Sequence, residues 1–220
     1  MDIREQICAM CRSFYTLGWV SGTGGGISIR HADRIYMAPS GVEKERIQPT
    51  DIFVLDLQGN PVEGPGNPTL KLTECAPLFL SAYDLRNAGA VIHSHSMNVL
   101  LATMLAERRA HPEFVSVLRF TQLEMIKGLA GHGYNDVYEL PVIDNTPREC
   151  ELTDTLRQAM QLFPRSNAVA VRNHGIYVWG DSATHAKTQA ECLDYLCEAK
   201  VRMRQLGLPD PADAIAVASS

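Results

Sequence analysis

The apolar run Ala90-Val91-Ile92 closes on His93-Ser94-His95. A run this short and continuously apolar reads as a buried strand, which commits the chain to a fold with a sheet inside it. Side chains at i and i+2 of a strand point to one face, so both imidazoles can converge on a single point. They are either hydrogen-bonded strand-end histidines or two ligands of one divalent ion, and imidazoles side by side have little structural use without an ion. A metal held for catalysis takes three protein ligands and keeps one position open. The third candidate is His174, which follows the apolar run Val169-Ala170-Val171 and stands just before Gly175. Alone, His174 reads as a satisfied strand-end histidine. With the pair it completes a three-imidazole set of the kind that suits zinc, the favoured ion at one per subunit, and other borderline divalent metals such as iron, manganese or cobalt. His31, His111, His132 and His185 stand in polar or loop-like stretches and read as surface positions.

Composition bounds the rest. The 220 residues, 45% of them hydrophobic, suffice for one well-filled core. We read 1–208 as a single domain and 209–220, small-residue and broken by Pro209 and Pro211, as a mobile tail. A net charge of -5 with acids and bases interspersed offers no basic stripe, so nucleic acid is not an expected partner. No apolar run approaches the roughly 20 residues that span a bilayer, and the N-terminus lacks an apolar signal core. No membrane partner and a cytoplasmic location are expected. Cys8-Ala-Met-Cys11 sits inside a helical pattern and reads as helix packing by reduced thiols.

Ile3, Ile7, Met10, Cys11, Phe14 and Leu17 recur at helical spacing, and Gly18 ends that helix. Strand-like runs follow at 27–30, 34–37 and 52–57, and a helix over 73–86 leads into the histidine strand. Ser96 stands where it would cap a helix starting at Met97. Then come a strand at 137–143, a helix over 148–163, strands at 168–172 and 176–179, and a helix over 182–206. Helices and strands mix without strict alternation, which makes this an α/β chain.

Between the first helix and the first strand lies Gly22-Thr23-Gly24-Gly25-Gly26. Such a run is either a tight connection or a cradle of backbone N–H groups for phosphate. It is not a P-loop, since no Gly-Lys-Ser/Thr follows, nor a dinucleotide fingerprint, since the order is helix, glycines, strand. Together with Ala38-Pro39-Ser40-Gly41, His93-Ser94-His95 and Asn173-His174-Gly175, in this order and spacing, the chain resembles the class II aldolase and epimerase superfamily over nearly its whole length. The longer stretches 17–28, 38–49, 122–128 and 175–180 are similar to a group of dehydratases in that superfamily that act in methionine salvage.

The resemblance implies a three-layer α/β fold, with a central mixed, largely antiparallel sheet flanked by helices, and a homotetramer with active sites near subunit boundaries. It implies zinc on His93, His95 and His174, a sugar-phosphate substrate, and phosphate contacts from Thr23, Gly24, Gly25, Ser40 and Gly41, with Lys71 and Thr73 near a third phosphate-binding turn. Aldolases of the superfamily carry their acid/base glutamate on the helix ahead of the histidine strand, where this chain has Cys75. A thiol does not replace that carboxylate, and Glu74, one position away on a helix, points about 100° elsewhere. The dehydratase resemblance instead puts the acid/base carboxylate at Glu124 and Cys75 in the substrate pocket. On composition alone Glu124 is an exposed helix-start acid. The implied reaction is loss of water from a methylthio ketose 1-phosphate to give a diketone. The alternative is retro-aldol cleavage of a ketose 1-phosphate, with Glu74 or Cys75 moving the proton. An inactive scaffold would be expected to have lost its ligands, and all three histidines are present.

Overall fold

The computed structural model describes residues 2–108 and 115–213. Its elements follow the order α1 (Ile3–Thr16), β1 (Gly26–His31), β2 (Arg34–Met37), β3 (Phe53–Leu55), β4 (Pro61–Glu63), α2 (Ala76–Arg86), β5 (Ala90–Ser94) and α3 (Met97–Thr103). The second half runs β6 (Glu107–Arg108), β7 (Val115–Phe120), β8 (Tyr138–Ile143), α4 (Thr153–Leu162), β9 (Ala168–Val171), β10 (Gly175–Gly180) and α5 (Ala183–Leu206). The strands form one ten-stranded sheet in the order β4-β3-β2-β1-β5-β10-β9-β8-β7-β6. Every pair is antiparallel except β8 with β9, which is the mixed, largely antiparallel sheet expected from the resemblance.

Strand alternation divides the interior into two cores. In β5, Ala90 and Ile92 join the core shared with α1, α3 and α5, while Val91 joins the one shared with α2 and α4. β10 alternates likewise, with Ile176 and Val178 on the first side and Tyr177 and Trp179 on the second. Three layers follow from this period of two. α1 contributes Ile7, Cys8, Cys11 and Phe14 to the first core, so the C-x-x-C pair packs a helix and its thiols are free. Ser96 caps α3 as expected, accepting from the N–H groups of Asn98 and Val99, and is itself anchored by donating to Asp194 on α5. No helix of the described residues is long and apolar enough to cross a membrane.

Two boundaries move in ways that matter for the site. The helix expected from Thr73 begins at Ala76, leaving Thr73 to Cys75 as a turn over which Thr73 Oγ1 accepts from the Cys75 N–H at 3.2 Å. The helix expected over 148–163 opens as a 3-10 turn, Glu149–Leu152, before α4 begins. β7 is a strand that periodicity leaves unassigned. His111 lies outside the described residues, as do residues 214–220 of the expected tail. The start of that tail is held down, because Lys200 pairs with Asp210 and Ala212 is buried.

β10 approaches β5 so closely that a Cβ on Gly175 would lie 2.0 Å from the Ser94 carbonyl oxygen. Only glycine fits there, and it is this approach that brings the end of the His174 turn beside the histidine strand. Overpacking a tight backbone contact typically costs about 1–3 kcal/mol, so Gly175→Ala should lower the unfolding free energy by about 2–3 kcal/mol in urea titrations. Gly64→Ala, whose new methyl group would meet open space, should stay within about 0.5 kcal/mol of the parent chain.

Candidate metal centre and active site

Strand geometry places His93 on the same face as Val91, opposite Tyr177 in the β5–β10 register. Its ring is fully buried and stacks on the Tyr177 ring, centroid to centroid 4.1 Å with 4° between planes. His93 Nδ1 lies 3.1 Å from the Ile176 carbonyl oxygen, to which it donates, so Nε2 carries the lone pair. His95, just past the strand, has its N–H bonded to the Trp19 carbonyl at 2.8 Å. Its ring lies against the glycine run, where a Cβ on Gly24 would sit 2.5 Å from His95 Cε1 and Nδ1. The glycines therefore serve the histidine segment directly by giving its ring room. His174 Nδ1 lies 3.1 Å from Asn145 Oδ1, which again directs the Nε2 lone pair inward.

The three Nε2 atoms meet. His95 Nε2 is 2.8 Å from that of His93 and 3.0 Å from that of His174. A fourth donor joins them, Glu149 Oε1, at 3.2 Å from His93 Nε2, 3.2 Å from His174 Nε2 and 4.0 Å from His95 Nε2. Ligand atoms about 2 Å from a tetrahedral ion stand about 3.3 Å apart, which is close to these separations. The proton count points the same way. With both Nδ1 protons of His93 and His174 engaged elsewhere, at most one proton, on His95, remains for four inward-facing acceptors. Such a donor set fits a divalent cation.

Electrostatics keeps these groups ready for an ion. Burial lowers the pKa of His93, and burial with the neighbouring His93 and His174 pushes His95 down to about 3, so both rings are neutral ligands at pH 7. Burial opposes the ionised Glu149, but the neighbouring His174 and His93 and the thiol of Cys75, which donates to it, outweigh burial and hold the carboxyl below its usual range. The second oxygen, Oε2, accepts from the Cys75 thiol at 2.8 Å. Burial and the adjacent Glu149 charge push that thiol up, so Cys75 is a donor and not a thiolate. Tyr177 Oη closes the chain by donating to Cys75 Sγ at 3.5 Å.

The other residues expected at the site fall into two groups. The turns expected to hold phosphate do come together. Ser40 N–H bonds to the Lys71 carbonyl at 2.9 Å, Thr73 flanks Cys75, and Thr23 and Gly41 line one cleft of about 390 Å³. Thr23, Gly24 and Gly25 form the loop under His95. Glu124 is not brought to the histidines. It stands on the 3-10 turn Glu124–Gly128, its side chain 70% exposed and paired with Lys127 at 2.9 Å. Sequence reasoning missed Glu149 and Tyr177. Glu149 looks like an ordinary acid in the first turn of a helix, and only the 3-10 opening of that helix directs it to the histidines.

Comparison with known proteins accords with this geometry. The model of the class II aldolase and adducin N-terminal domain family matches residues 5–201. A methylthioribulose-1-phosphate dehydratase of Aquarana catesbeiana is 50% identical over 95% of this chain and 87% of its own length. A probable bifunctional methylthioribulose-1-phosphate dehydratase/enolase-phosphatase E1 of Arabidopsis thaliana is 50% identical over 92% of this chain. The chain spans about two fifths of the length of such bifunctional relatives, 41% in the Arabidopsis case. Among solved structures, an L-fuculose 1-phosphate aldolase superposes with a TM-score of 0.75 at 22% identity, covering 94% of this chain and 89% of that one. YgbL of Klebsiella pneumoniae, a putative aldolase/epimerase/decarboxylase, superposes at 0.73 with 20% identity, covering 91% and 89%. At those identities the likeness is one of fold. From the family match and the half-identical relative together, the chain belongs to the class II aldolase and adducin N-terminal domain family, beside its methylthioribulose-1-phosphate dehydratases.

Proposed function

We propose that this chain dehydrates 5-methylthioribulose 1-phosphate to 2,3-diketo-5-methylthiopentyl 1-phosphate in methionine salvage, as a cytoplasmic zinc enzyme. The observation that carries the reading is the convergence of three imidazole nitrogens and the Glu149 carboxylate, in a chain half identical to a named dehydratase. A zinc ion held by His93, His95 and His174 would supply Lewis acidity at the C2 carbonyl of the substrate, which makes the C3 hydrogen acidic.

The chain's own side chains do the rest. Glu149 is the fourth donor of the substrate-free site, and the Cys75 thiol holds its outer oxygen in place. Tyr177 fixes the plane of His93 by stacking. The turns carrying Thr23, Gly24, Gly25, Ser40 and Gly41, with Lys71 and Thr73, take the phosphate end. Glu124 is the acid/base group that removes the C3 proton and protonates the departing C4 hydroxyl. Because Glu124 is exposed and apart from its own chain's histidines, we assign it to the site of a neighbouring copy in a homotetramer. Met97, Leu101 and Met104, exposed at i, i+4 and i+7 of α3 and the residue after it, give that assembly an apolar stripe to bury. Retro-aldol cleavage is the weaker reading. Glu74 is exposed, and Cys75 keeps its proton against Glu149, so neither is placed to act as the base.

Product analysis on 5-methylthioribulose 1-phosphate tests the reaction. Metal-dependent diketone, abolished by a chelator and restored by zinc, is the expected result; dihydroxyacetone phosphate with a methylthio-aldehyde would mean aldol cleavage. Glu124→Gln should lower kcat by about 10²–10⁴ while its zinc content stays that of the parent. Mixing Glu124→Gln with the separately inactive His174→Ala under subunit exchange should restore activity, and no restoration would place Glu124 in its own chain's site. Glu149→Gln should weaken zinc binding by about 10–100-fold, read by competition with a chromophoric chelator. Unchanged affinity would remove Glu149 from the ligand set.

A further inference from the structure

Lys44 is 2% exposed, and no residue of the mechanism above makes use of it. Lysines are almost never fully buried unless paired. Among the described residues Lys44 forms no ion pair. Its Nζ donates to two backbone carbonyls, Thr23 O at 2.7 Å and Val42 O at 3.1 Å. An ammonium carries three protons, so these two acceptors leave one proton of the buried charge without an acceptor. Burial lowers its pKa, and the carboxylates of Glu149 and Glu45 work against that fall.

The two carbonyls belong to separate turns. Thr23 lies in the glycine loop, and Val42 follows Ser40-Gly41. These are two of the turns expected to face the phosphate. Thr23, Gly41 and Val42 all line the 390 Å³ cleft, so the lysine ties together two of its walls. Arg46, which also lines the cleft, pairs with Glu43 at 2.9 Å. That leaves Lys44 as the buried cation behind the cleft without a carboxylate partner. A neutral donor would satisfy one carbonyl or both, but it would not place positive charge behind them. Buried charge acts over a longer range than surface charge, because solvent screens it less.

We propose that Lys44 is a positioning residue: it clamps the glycine loop to the Ser40–Val42 turn and supplies the fixed counter-charge for a phosphate dianion bound between them. The proposal rests on reading the substrate as a phosphate ester. It says nothing of the bond that breaks, so it can fail or hold independently of the dehydration.

Lys44→Met removes both the charge and the clamp, whereas Lys44→Gln keeps an N–H donor and removes only the charge. Inorganic phosphate is titrated calorimetrically into zinc-loaded parent and variant proteins, alongside steady-state kinetics and zinc content. Both variants should bind phosphate about tenfold or more weakly and raise KM by a larger factor than they lower kcat, with zinc content at the parent level. A role confined to folding would instead lower the melting temperature and leave the phosphate affinity of the folded fraction unchanged. Parent-like phosphate affinity in Lys44→Gln would overturn the counter-charge role, and failure of Lys44→Gln to fold would reduce Lys44 to a structural clamp. A parent chain that makes the diketone but binds no phosphate would overturn the proposal and leave the dehydratase reading standing. Lys44-dependent phosphate binding without any dehydration would do the reverse.

Discussion

Three ring nitrogens turned toward one another repel unless positive charge lies among them, and the middle of this sheet is built so that they cannot turn away. His93 is held between the Tyr177 ring and the Ile176 carbonyl. His95 is pinned by its backbone to Trp19 and by its ring to the loop at Gly24. His174 is steered by Asn145 from the end of β8. Each restraint comes from a different stretch of chain, and two of them need a glycine where a methyl group would collide. The sheet order follows from the same need, since β5 must lie between β1, which follows the glycine loop, and β10, which follows His174.

A site of this kind concentrates charge where little water can screen it. Neutral imidazoles leave Glu149 as the negative partner of any bound cation, and the Cys75 thiol takes the oxygen that the histidines do not. Buried groups of this kind hold only if each polar atom is answered. The links from Tyr177 to Cys75 and from Cys75 to the outer oxygen of Glu149 meet that condition from the side of α2, while Lys44 donates to the two carbonyls on the side of α1.

What the sequence made legible was what repeats or clusters locally. The continuous apolar run Ala90 to Ile92 assigned a buried strand, the i, i+2 spacing of His93 and His95 put both near one point, and Ser96 and the helical spacing of α1 were readable from local pattern. The chain was less legible where a long-range contact decides. Glu149 belongs to a 3-10 turn whose direction depends on packing against α2 and α4, and nothing in Arg148-Glu149-Cys150-Glu151 encodes that. Lys44 sits between two other charged residues, Glu43 and Glu45, and reads as part of a solvated surface until the turns around it close. β7 follows the residues that are not described and alternates weakly, so periodicity had little to act on. The glycine run was read as a choice between connection and phosphate cradle. The structure adds a third use, clearance for His95, which no local pattern could supply.

The protonated thiol at Cys75 has a consequence for which ions the site can admit. Sulfur is the one soft donor near the histidines, yet it faces the carboxylate with its proton in place and stands outside the converging set of nitrogens and oxygen. Hard and borderline ions meet a nitrogen and oxygen shell that suits them. The cysteine's part is to hold the outer oxygen of Glu149, so its influence on a bound ion runs through that carboxylate and not through a bond of its own.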